Sequence, residues 1–285
     1  MNDLQERLDT AAAIARAAGA AAMRFYGSTG STLKADESPV TAADHAANDV
    51  IVRELLRAFP GDAVLSEESR DDLVRLESDR VWIVDPLDGT KEFISQNGEF
   101  SIMIGLAVGG EAVLGAVYLP DGDVLYGAAR GLGAWAERGG GPREQLRAAP
   151  PAAGEIRLVG SRSHPDALVA AIQEELGITD VLPCGSVGVK CSRIAEGARD
   201  LYVHPVPYLK EWDTCAPEVL LREAGGWVSD CLGRPLRYNK RRPSQPEGIL
   251  ACGPGLEDVV LPVVRPLYAA ARAGADDAPA AATAV

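Results

Sequence analysis

The sequence has few of the residues that build zinc sites or disulfide-linked folds. Its 285 residues include three histidines and five cysteines, and no two cysteines have C-x-x-C spacing. Scattered cysteines in odd number do not indicate a disulfide framework, and so few histidines do not favour a zinc site. We therefore expect reduced cysteines in the interior of a cytoplasmic protein.

Basic residues and long apolar runs are also scarce. The chain has 28 lysines and arginines against 41 aspartates and glutamates, a formal net charge of −13. Such a surface repels nucleic acids and anionic membranes, so we expect a small-molecule ligand and no polymeric nucleic acid. No apolar run approaches the roughly 20 residues of a membrane span, and the polar first residues do not resemble a signal peptide. We expect no integral membrane association.

What the sequence does contain is a change of pattern near its middle. Two amphipathic helical segments open the first half, and apolar runs separated by Gly, Pro and Asp turns follow, which indicates an antiparallel meander. The second half alternates short apolar runs with helical segments, which predicts a sheet covered by helices. Residues 138–154 are rich in Gly, Pro and Ala. We expect a linker there between domains at 1–150 and 151–273, and a frayed Ala-rich tail at 274–285.

The stretch with the most distinctive chemistry is Asp85-Pro86-Leu87-Asp88-Gly89-Thr90, directly after the apolar run 81–84. The apolar run predicts a buried strand, so both carboxylates lie where a strand ends and the chain turns. The glycine lets the backbone approach a ligand, and the amides that follow can open a short helix and bind an anion. Carboxylates for a hard cation beside amides for an anion suit metal-assisted chemistry on a phosphate. An ordinary Asp-rich β-turn is the alternative interpretation.

Three further acids each have a structural and a functional interpretation. Asp44, three residues after Thr41, fits the capping box of a helix, or it faces the motif above and orients its threonine. Glu67 follows a short predicted strand, where it is either a solvated acid or a third carboxylate for a metal. Asp213 is either the N-cap of a helix or an acid that points into a cleft. The residues alone leave these alternatives open.

Three blocks of the sequence together resemble one known family. They are Ser66-Glu67-Glu68, the motif from Asp85 to Thr90, and Trp212-Asp213. From about residue 5 to residue 255, the chain resembles the lithium-sensitive, magnesium-dependent phosphatases that include inositol monophosphatase. Within this family it looks most like the 3'(2'),5'-bisphosphate nucleotidases of the CysQ type. The segments that carry this second likeness are 38–44, 91–94, 97–100, 160–164 and 212–218.

The resemblance implies an α+β fold, a layered αβαβα sandwich with an antiparallel sheet in the N-terminal half and a mixed sheet in the C-terminal half. It implies hydrolysis of the 3'-phosphate of adenosine 3',5'-bisphosphate (PAP) to AMP and phosphate, with the sulfated form, PAPS, as a further substrate. The alternatives are an inositol or sugar monophosphatase and a catalytically silent module that binds nucleotide or metal. The intact set of acidic residues argues against the silent module. Homodimer formation is compatible with the resemblance.

The resemblance also assigns metal ligands. Glu67, Asp85 and the backbone carbonyl of Leu87 would hold one Mg²⁺, and Asp85, Asp88 and Asp213 would hold a second, with a third ion as a further possibility. Oxygen ligands of this kind are those that Mg²⁺ prefers. Without metal, the packed carboxylates would repel one another, so we expect a loose or partly protonated site.

Catalytic roles follow from the same resemblance. Thr90, hydrogen-bonded to Asp44 or Glu67, would orient the attacking water and help to take its proton, since a threonine hydroxyl needs an acidic partner to act as a base. The backbone amides of Gly89 and Thr90 would hold phosphate oxygens as charge builds in the transition state.

The resemblance assigns nucleotide contacts as well. The residues expected to bind substrate are Gly89, Thr90, Ser161, Arg162, Ser186, Lys190 and Asp213. Arg162 and Lys190 suit the 5'-phosphate, and the alternative for each is a solvated surface cation. Some family members have an arginine two residues after the tyrosine that matches Tyr202, where this chain has His204. Because His204 lies beside two prolines, we expect it on a loop surface.

Overall fold

The computed structural model describes residues 2–28, 30–33, 39–151, 154–162 and 166–276. The helices are α1 (Asn2–Met23), α2 (Ala42–Ala58), α3 (Thr90–Ser95), α4 (Ala167–Glu175), α5 (Val187–Ala195), α6 (Glu211–Glu223) and α7 (Glu257–Asp276), with a 3₁₀ helix at Val74–Glu77. The strands are β1 (Ser31–Leu33), β2 (Pro39–Thr41), β3 (Ala63–Ser66), β4 (Arg80–Asp88), β5 (Ser101–Val108), β6 (Glu111–Leu119), β7 (Val124–Ala129), β8 (Gly133–Arg138), β9 (Glu144–Leu146), β10 (Arg157–Ser161), β11 (Asp180–Cys184), β12 (Leu201–His204), β13 (Trp227–Ser229) and β14 (Ile249–Cys252).

The larger sheet has seven strands in the order β3-β4-β5-β6-β7-β8-β9. From β4 to β9 all neighbours are antiparallel, and β5 to β8 form the meander that the spacing of turns predicted. The edge strand β3 departs from the prediction, since it runs parallel to β4 with Ser66 opposite Val84. Parallel neighbours need a crossover of about a dozen residues, and the segment 67–79 supplies one. The exception brings the ends of β3 and β4 to the same edge of the sheet.

The smaller of the two main sheets has five strands in the order β11-β10-β12-β14-β13, and β1 pairs with β2 in a separate two-stranded sheet. Strands β10, β11 and β12 are parallel, and β14 is antiparallel to both β12 and β13, which makes this the expected mixed sheet. The carboxyl ends of the parallel strands meet at one edge, where their last residues are Ser161, Cys184 and His204. His204 therefore ends a strand. The expectation that it lies on a loop surface is wrong.

Within the described part of the chain, buried side chains form three clusters, which mark the interfaces between layers. Helices α1 and α2 cover one face of the larger sheet, where Leu55 shares a core with Trp82. Helices α5 and α6 lie between the sheets, and their apolar residues, such as Leu220, pack with residues from both. Helices α4 and α7 cover the outer face of the smaller sheet, where Ile172 shares a core with Leu250. The order helix, sheet, helix, sheet, helix confirms the αβαβα sandwich.

Helix α6 lies very close to the centre of the larger sheet. A Cβ atom on Gly115 of β6 would lie 2.3 Å from the carbonyl oxygen of Ala216, so only glycine fits there. The same helix also contacts β4 and β5. This close approach brings the first turn of α6, which carries Asp213, to the sheet that carries Asp85.

The remaining sequence-based expectations concern the linker, the tail and the cysteines. Residues 138–154 do not form a simple linker, because Glu144–Leu146 pair with β8, and the domain boundary near residue 150 stays a prediction. Helix α7 continues to Asp276, and the rest of the predicted tail lies outside the described residues. All five cysteines are described, and each is buried with a free thiol. In the described ranges, no helix combines the length and the apolar character that a membrane span requires.

Candidate active site

The site begins where β3 and β4 end side by side. Their parallel pairing lets the backbone N–H of Glu67 donate to the carbonyl of Val84 at 3.2 Å, so Glu67 lies beside Asp85. In the pairing of β4 with β5, three steps along β4 from Asp85 to Asp88 match only two steps along β5. Pro86 lies in this bulge, where a residue without an N–H is tolerated. The bulge turns Asp85 and Asp88 toward the same region.

Four carboxylates influence one another at this edge. Burial and the negative charges of Glu67, Asp88 and Asp213 raise the pKa of Asp85 well above its usual range. Burial and the charge of Glu67 likewise raise the pKa of Asp213. Since such effects require proximity, the structure brings together acids that come from β3, β4 and α6.

Asp213 is not the N-cap of its helix. Helix α6 begins at Glu211, so Asp213 is its third residue, and its Oδ2 accepts the backbone N–H of Lys210 at 2.6 Å. The hydrogen bond satisfies a backbone donor before the first turn and fixes one oxygen of the carboxylate. Asp213 therefore has the structural role of a helix-start acid and also belongs to the carboxylate cluster.

Asp88 is held by the first turn of α5. Its Oδ2 accepts hydrogen bonds from Ser186 Oγ at 2.5 Å, from the backbone N–H of Gly188 at 2.9 Å and from Ser101 Oγ at 3.4 Å. Ser186 also caps the helix, since its Oγ accepts the N–H of Val189. One oxygen of Asp88 is therefore saturated by donors from β5 and from the start of α5.

Asp44 makes the hydrogen bonds that both of its sequence-based interpretations require. Its Oδ2 accepts the backbone N–H of Thr41 at 2.8 Å and the Thr41 hydroxyl at 2.7 Å, which completes a capping box at the start of α2. Its Oδ1 accepts the hydroxyl of Thr90 at 2.9 Å. Thr90 Oγ1 also lies 3.3 Å from the carbonyl oxygen of Leu87.

Gly89 has a backbone conformation that a side chain would oppose. Its φ is 95°, and a Cβ atom there would lie 2.9 Å from the carbonyl oxygen of Glu99. The residue precedes the first turn of α3 and so allows the chain to turn directly from the β4 carboxylates into a helix.

The residues assigned to the nucleotide lie at the edge of the smaller sheet. Ser161 ends β10, Arg162 follows it, and Ser186 follows β11. Lys190 is only 4% exposed, so it is not a solvated surface cation. Its Nζ donates to the Ser186 carbonyl at 3.2 Å and lies 5.2 Å from the centre of the Tyr202 ring.

Arg162 is partly exposed but does not lie free in solvent. Its Nε and Nη2 bind the two carboxylate oxygens of Glu99 at 3.1 Å and 2.6 Å, and its Nη2 also donates to the carbonyl of Pro183 at 2.9 Å. Partial burial acts to raise the pKa of Glu99, but hydrogen bonds from Arg162 and from the N–H of Gly185 lower it. The pair is therefore ionised at neutral pH.

The donor set fits a hard divalent cation. Among the described residues, no three acidic, histidine or cysteine side chains are close enough to form a complete metal-binding group. Burial nevertheless disfavours the ionised forms of Asp85 and Asp213, and the charges of neighbouring carboxylates add repulsion, so the pKa of both groups is raised. Repulsion of this kind separates carboxylates, and a bound cation removes it.

Sequence reasoning missed several residues of the site. Ser101 and Gly188 hold Asp88, and Glu99 holds Arg162. Glu99 lies in a segment that carried the family resemblance, so a signal was present for it. No local pattern could have linked Gly188 to Asp88, because they come from different halves of the chain.

Comparison with known proteins assigns this arrangement to a class. The sequence profile described as "Inositol monophosphatase family" matches residues 3–256, and the chain belongs to that family. Enzymes of the family are metal-dependent phosphatases.

Individual relatives point to one branch of the family. The chain is 43% identical over 239 residues to the 3'(2'),5'-bisphosphate nucleotidase CysQ of Escherichia coli K12, covering 82% of this chain and 94% of the relative. It is 36% identical over 227 residues to the 3'-phosphoadenosine 5'-phosphate phosphatase of Mycobacterium bovis, covering 77% and 79%. The crystal structure of CysQ from Bacteroides thetaiotaomicron superimposes with a TM-score of 0.77 at 34% identity, covering 87% of this chain and 97% of that one.

Proposed function

We propose that this chain is a Mg²⁺-dependent phosphomonoesterase that removes the 3'-phosphate of PAP, giving AMP and phosphate. The observation that carries the proposal is the Thr90–Asp44 hydrogen bond beside four acids that share one site. The names of the CysQ relatives supply the substrate, since they act on 3'(2'),5'-bisphosphate nucleotides. PAPS has the same 3'-phosphate and is the second substrate to test.

The ligands that we propose for two Mg²⁺ ions are Glu67, Asp85, the Leu87 carbonyl, Asp88 and Asp213. When bound, the ions would lower the pKa of water and offset the charge of the phosphate. Asp85 is buried and feels the charges of Glu67, Asp88 and Asp213, so it would be the central member of this ligand set. Asp88 offers Oδ1, because α5 occupies its other oxygen.

Thr90 and Asp44 handle the attacking water in this proposal. Thr90 donates its hydroxyl hydrogen to Asp44 Oδ1, so the lone pairs of Thr90 Oγ1 can accept a hydrogen bond from water. The proton of the water can then pass to Thr90 as the proton of Thr90 passes to Asp44. Thr41 holds the other oxygen of Asp44 and so keeps this carboxylate oriented. Glu67, beside Asp85, is the alternative acidic partner.

The backbone N–H groups of Gly89 and Thr90 are proposed to bind phosphate oxygens, since they open α3 next to the carboxylates. Water attacks phosphorus and the bond to the 3'-oxygen breaks. That oxygen takes a proton from solvent water and leaves as the 3'-hydroxyl of AMP, while the proton on Asp44 returns to solvent. Asp213 is proposed to contact the leaving ribose. At the other end of the substrate, Arg162 and Lys190 are the cations available for the 5'-phosphate.

The test is phosphate release from PAP and from inositol 1-phosphate, side by side, with Mg²⁺ and with EDTA. We expect release that requires Mg²⁺ and strongly favours PAP. A preference for inositol 1-phosphate would be consistent with the metal-dependent chemistry but would overturn the assignment of PAP as the substrate. No release from either ester with Mg²⁺ would reject the proposal.

A further inference from the structure

The carboxylate of Glu99 connects the two halves of the site. Glu99 lies just before β5 of the larger sheet, while Arg162 and Gly185 follow β10 and β11 of the smaller sheet. Its Oε1 accepts Arg162 Nη2 at 2.6 Å, and its Oε2 accepts Arg162 Nε at 3.1 Å and the backbone N–H of Gly185 at 2.8 Å. A single side chain from one sheet thus binds two segments of the other.

These bonds determine how Arg162 presents its charge. The guanidinium group is held on one side by Glu99, and its Nη2 donates in addition to the Pro183 carbonyl at 2.9 Å. None of these bonds, all of which join described residues, uses Nη1, so this nitrogen can still donate to an anion. A guanidinium group held in this way loses little conformational freedom when it binds a phosphate.

The same carboxylate supports the first turn of α5. Gly185, which donates to Glu99, directly precedes Ser186, whose hydroxyl binds Asp88. A Cβ atom on Gly185 would lie 2.3 Å from Glu92 Cγ, so this segment is tightly confined. Glu99 therefore lies between the arginine assigned to the 5'-phosphate and a carboxylate assigned to the metal.

We propose that Glu99 is a positioning residue that makes the enzyme select substrates with a 5'-phosphate, by holding Arg162 in the geometry that binds this group. The inference rests on the proposed function, and it assigns the selectivity to a residue that does not touch the substrate. A negative charge at this position is unfavourable for binding a phosphate by itself. If the charge of Glu99 mattered more than its positioning of Arg162, removing that charge would tighten binding of the 5'-phosphate. If the positioning matters more, removing the carboxylate weakens that binding.

The experiment compares the wild type with Glu99→Gln on PAP and on adenosine 3'-monophosphate, which has the same scissile ester without the 5'-phosphate. We expect the ratio of kcat/KM for PAP to that for the monophosphate to fall about tenfold or more, the scale of one charge-assisted hydrogen bond. The loss should come from the KM for PAP, with kcat changed by less than about threefold. Arg162→Ala should lower the ratio similarly, and the double variant should lose little more.

A matched control is Glu111→Gln, since Glu111 also binds two arginines, Arg130 and Arg237, but on the exposed surface. This variant should have the same kcat/KM as the wild type on both substrates. An equal loss on both substrates for Glu99→Gln, an unchanged KM for PAP, or a lower one would overturn the proposal.

Binding of AMP and of adenosine, measured by calorimetry, separates this inference from the proposed function. The two ligands differ only in the 5'-phosphate, and neither measurement requires turnover. We expect Glu99→Gln to weaken the binding of AMP and to leave the affinity for adenosine unchanged. A wild type that binds AMP but does not hydrolyse PAP would reject the proposed function alone, whereas unchanged AMP binding in the variant would reject the role of Glu99.

Discussion

Thr90 Oγ1 donates a hydrogen bond to Asp44 Oδ1 at 2.9 Å, while Asp44 Oδ2 binds the N–H and the hydroxyl of Thr41. The capping box and the link to the candidate catalytic threonine are therefore properties of the same carboxylate. The cap fixes its orientation, and the orientation presents one oxygen to Thr90. The two interpretations of Asp44 that compete in the sequence correspond to hydrogen bonds that its two carboxylate oxygens make at the same time.

Removing the Thr90 hydroxyl should affect catalysis far more than stability. We expect Thr90→Ala to lower kcat on PAP by about 10²–10³-fold, within the usual range for a group that transfers a proton. Thr90→Ser retains the hydroxyl and should restore most of the activity. Steady-state kinetics at saturating Mg²⁺ measure both, with circular dichroism as the check on folding. Near-normal turnover by Thr90→Ala would contradict the role of this hydroxyl.

Asp85→Asn should abolish the effect of Mg²⁺ on thermal unfolding. A ligand that binds only the folded state stabilises it, by about 2.7 kcal/mol at 100 times its dissociation constant. The wild type should therefore melt at a higher temperature with Mg²⁺, and the variant should not respond. Without metal the variant should be at least as stable, because burial and neighbouring charges disfavour the ionised Asp85.

Differential scanning calorimetry with and without EDTA measures this response. Asp49→Asn is the control, because Asp49 is an exposed acid on α2. A full Mg²⁺ response in Asp85→Asn would show that this carboxylate is not a ligand.

Gly115→Ala should destabilise the protein and disturb the site. The added Cβ would lie 2.3 Å from the Ala216 carbonyl, so α6 must shift away from the sheet. Overpacking of this kind costs about 1–3 kcal/mol of the free energy of unfolding. Because α6 carries Asp213, activity should fall as well. In urea unfolding, Gly61→Ala is the control, since nothing lies within 4 Å of its added Cβ. Equal midpoints for the two variants would refute the tight contact.

The cysteines should be unreactive in the folded protein. Burial raises the pKa of Cys184 to about 11 and that of Cys191 to about 12. Since the thiolate is the reactive form, we expect no labelling by Ellman's reagent at pH 8 and five thiols per chain in denaturant. Rapid labelling of the native protein would contradict this burial.

The same shifts predict a loss of stability at alkaline pH. The folded pKa values lie above the ordinary value of 9.0, so the folded state retains protons that the unfolded state releases. The contribution of these thiols is complete below pH 9 and declines as the pH rises to about 11 and 12. Urea midpoints at pH 8 and pH 10.5 measure the decline.

Local patterns predicted most of the elements and much of the site. The capping box of Thr41 and Asp44 was readable because its two members are three residues apart on one helix. The turn at Gly89 was readable because its neighbours carry both strand and helix signals. The parallel pairing of β3 with β4 was not predictable, because an edge strand has the same apolar pattern whether it runs parallel or antiparallel to its neighbour.

The sequence by itself determined the residue types: the carboxylates after β4, the threonine that follows them, and the glycine between. Periodicity and turn chemistry act over a few residues, so they could specify these elements locally. Only the tertiary structure decided that Asp213 lies with Asp85, that Ser186 holds Asp88, and that Glu99 binds Arg162. Each of these pairs joins distant parts of the chain, which meet because the two sheets pack on opposite sides of α5 and α6.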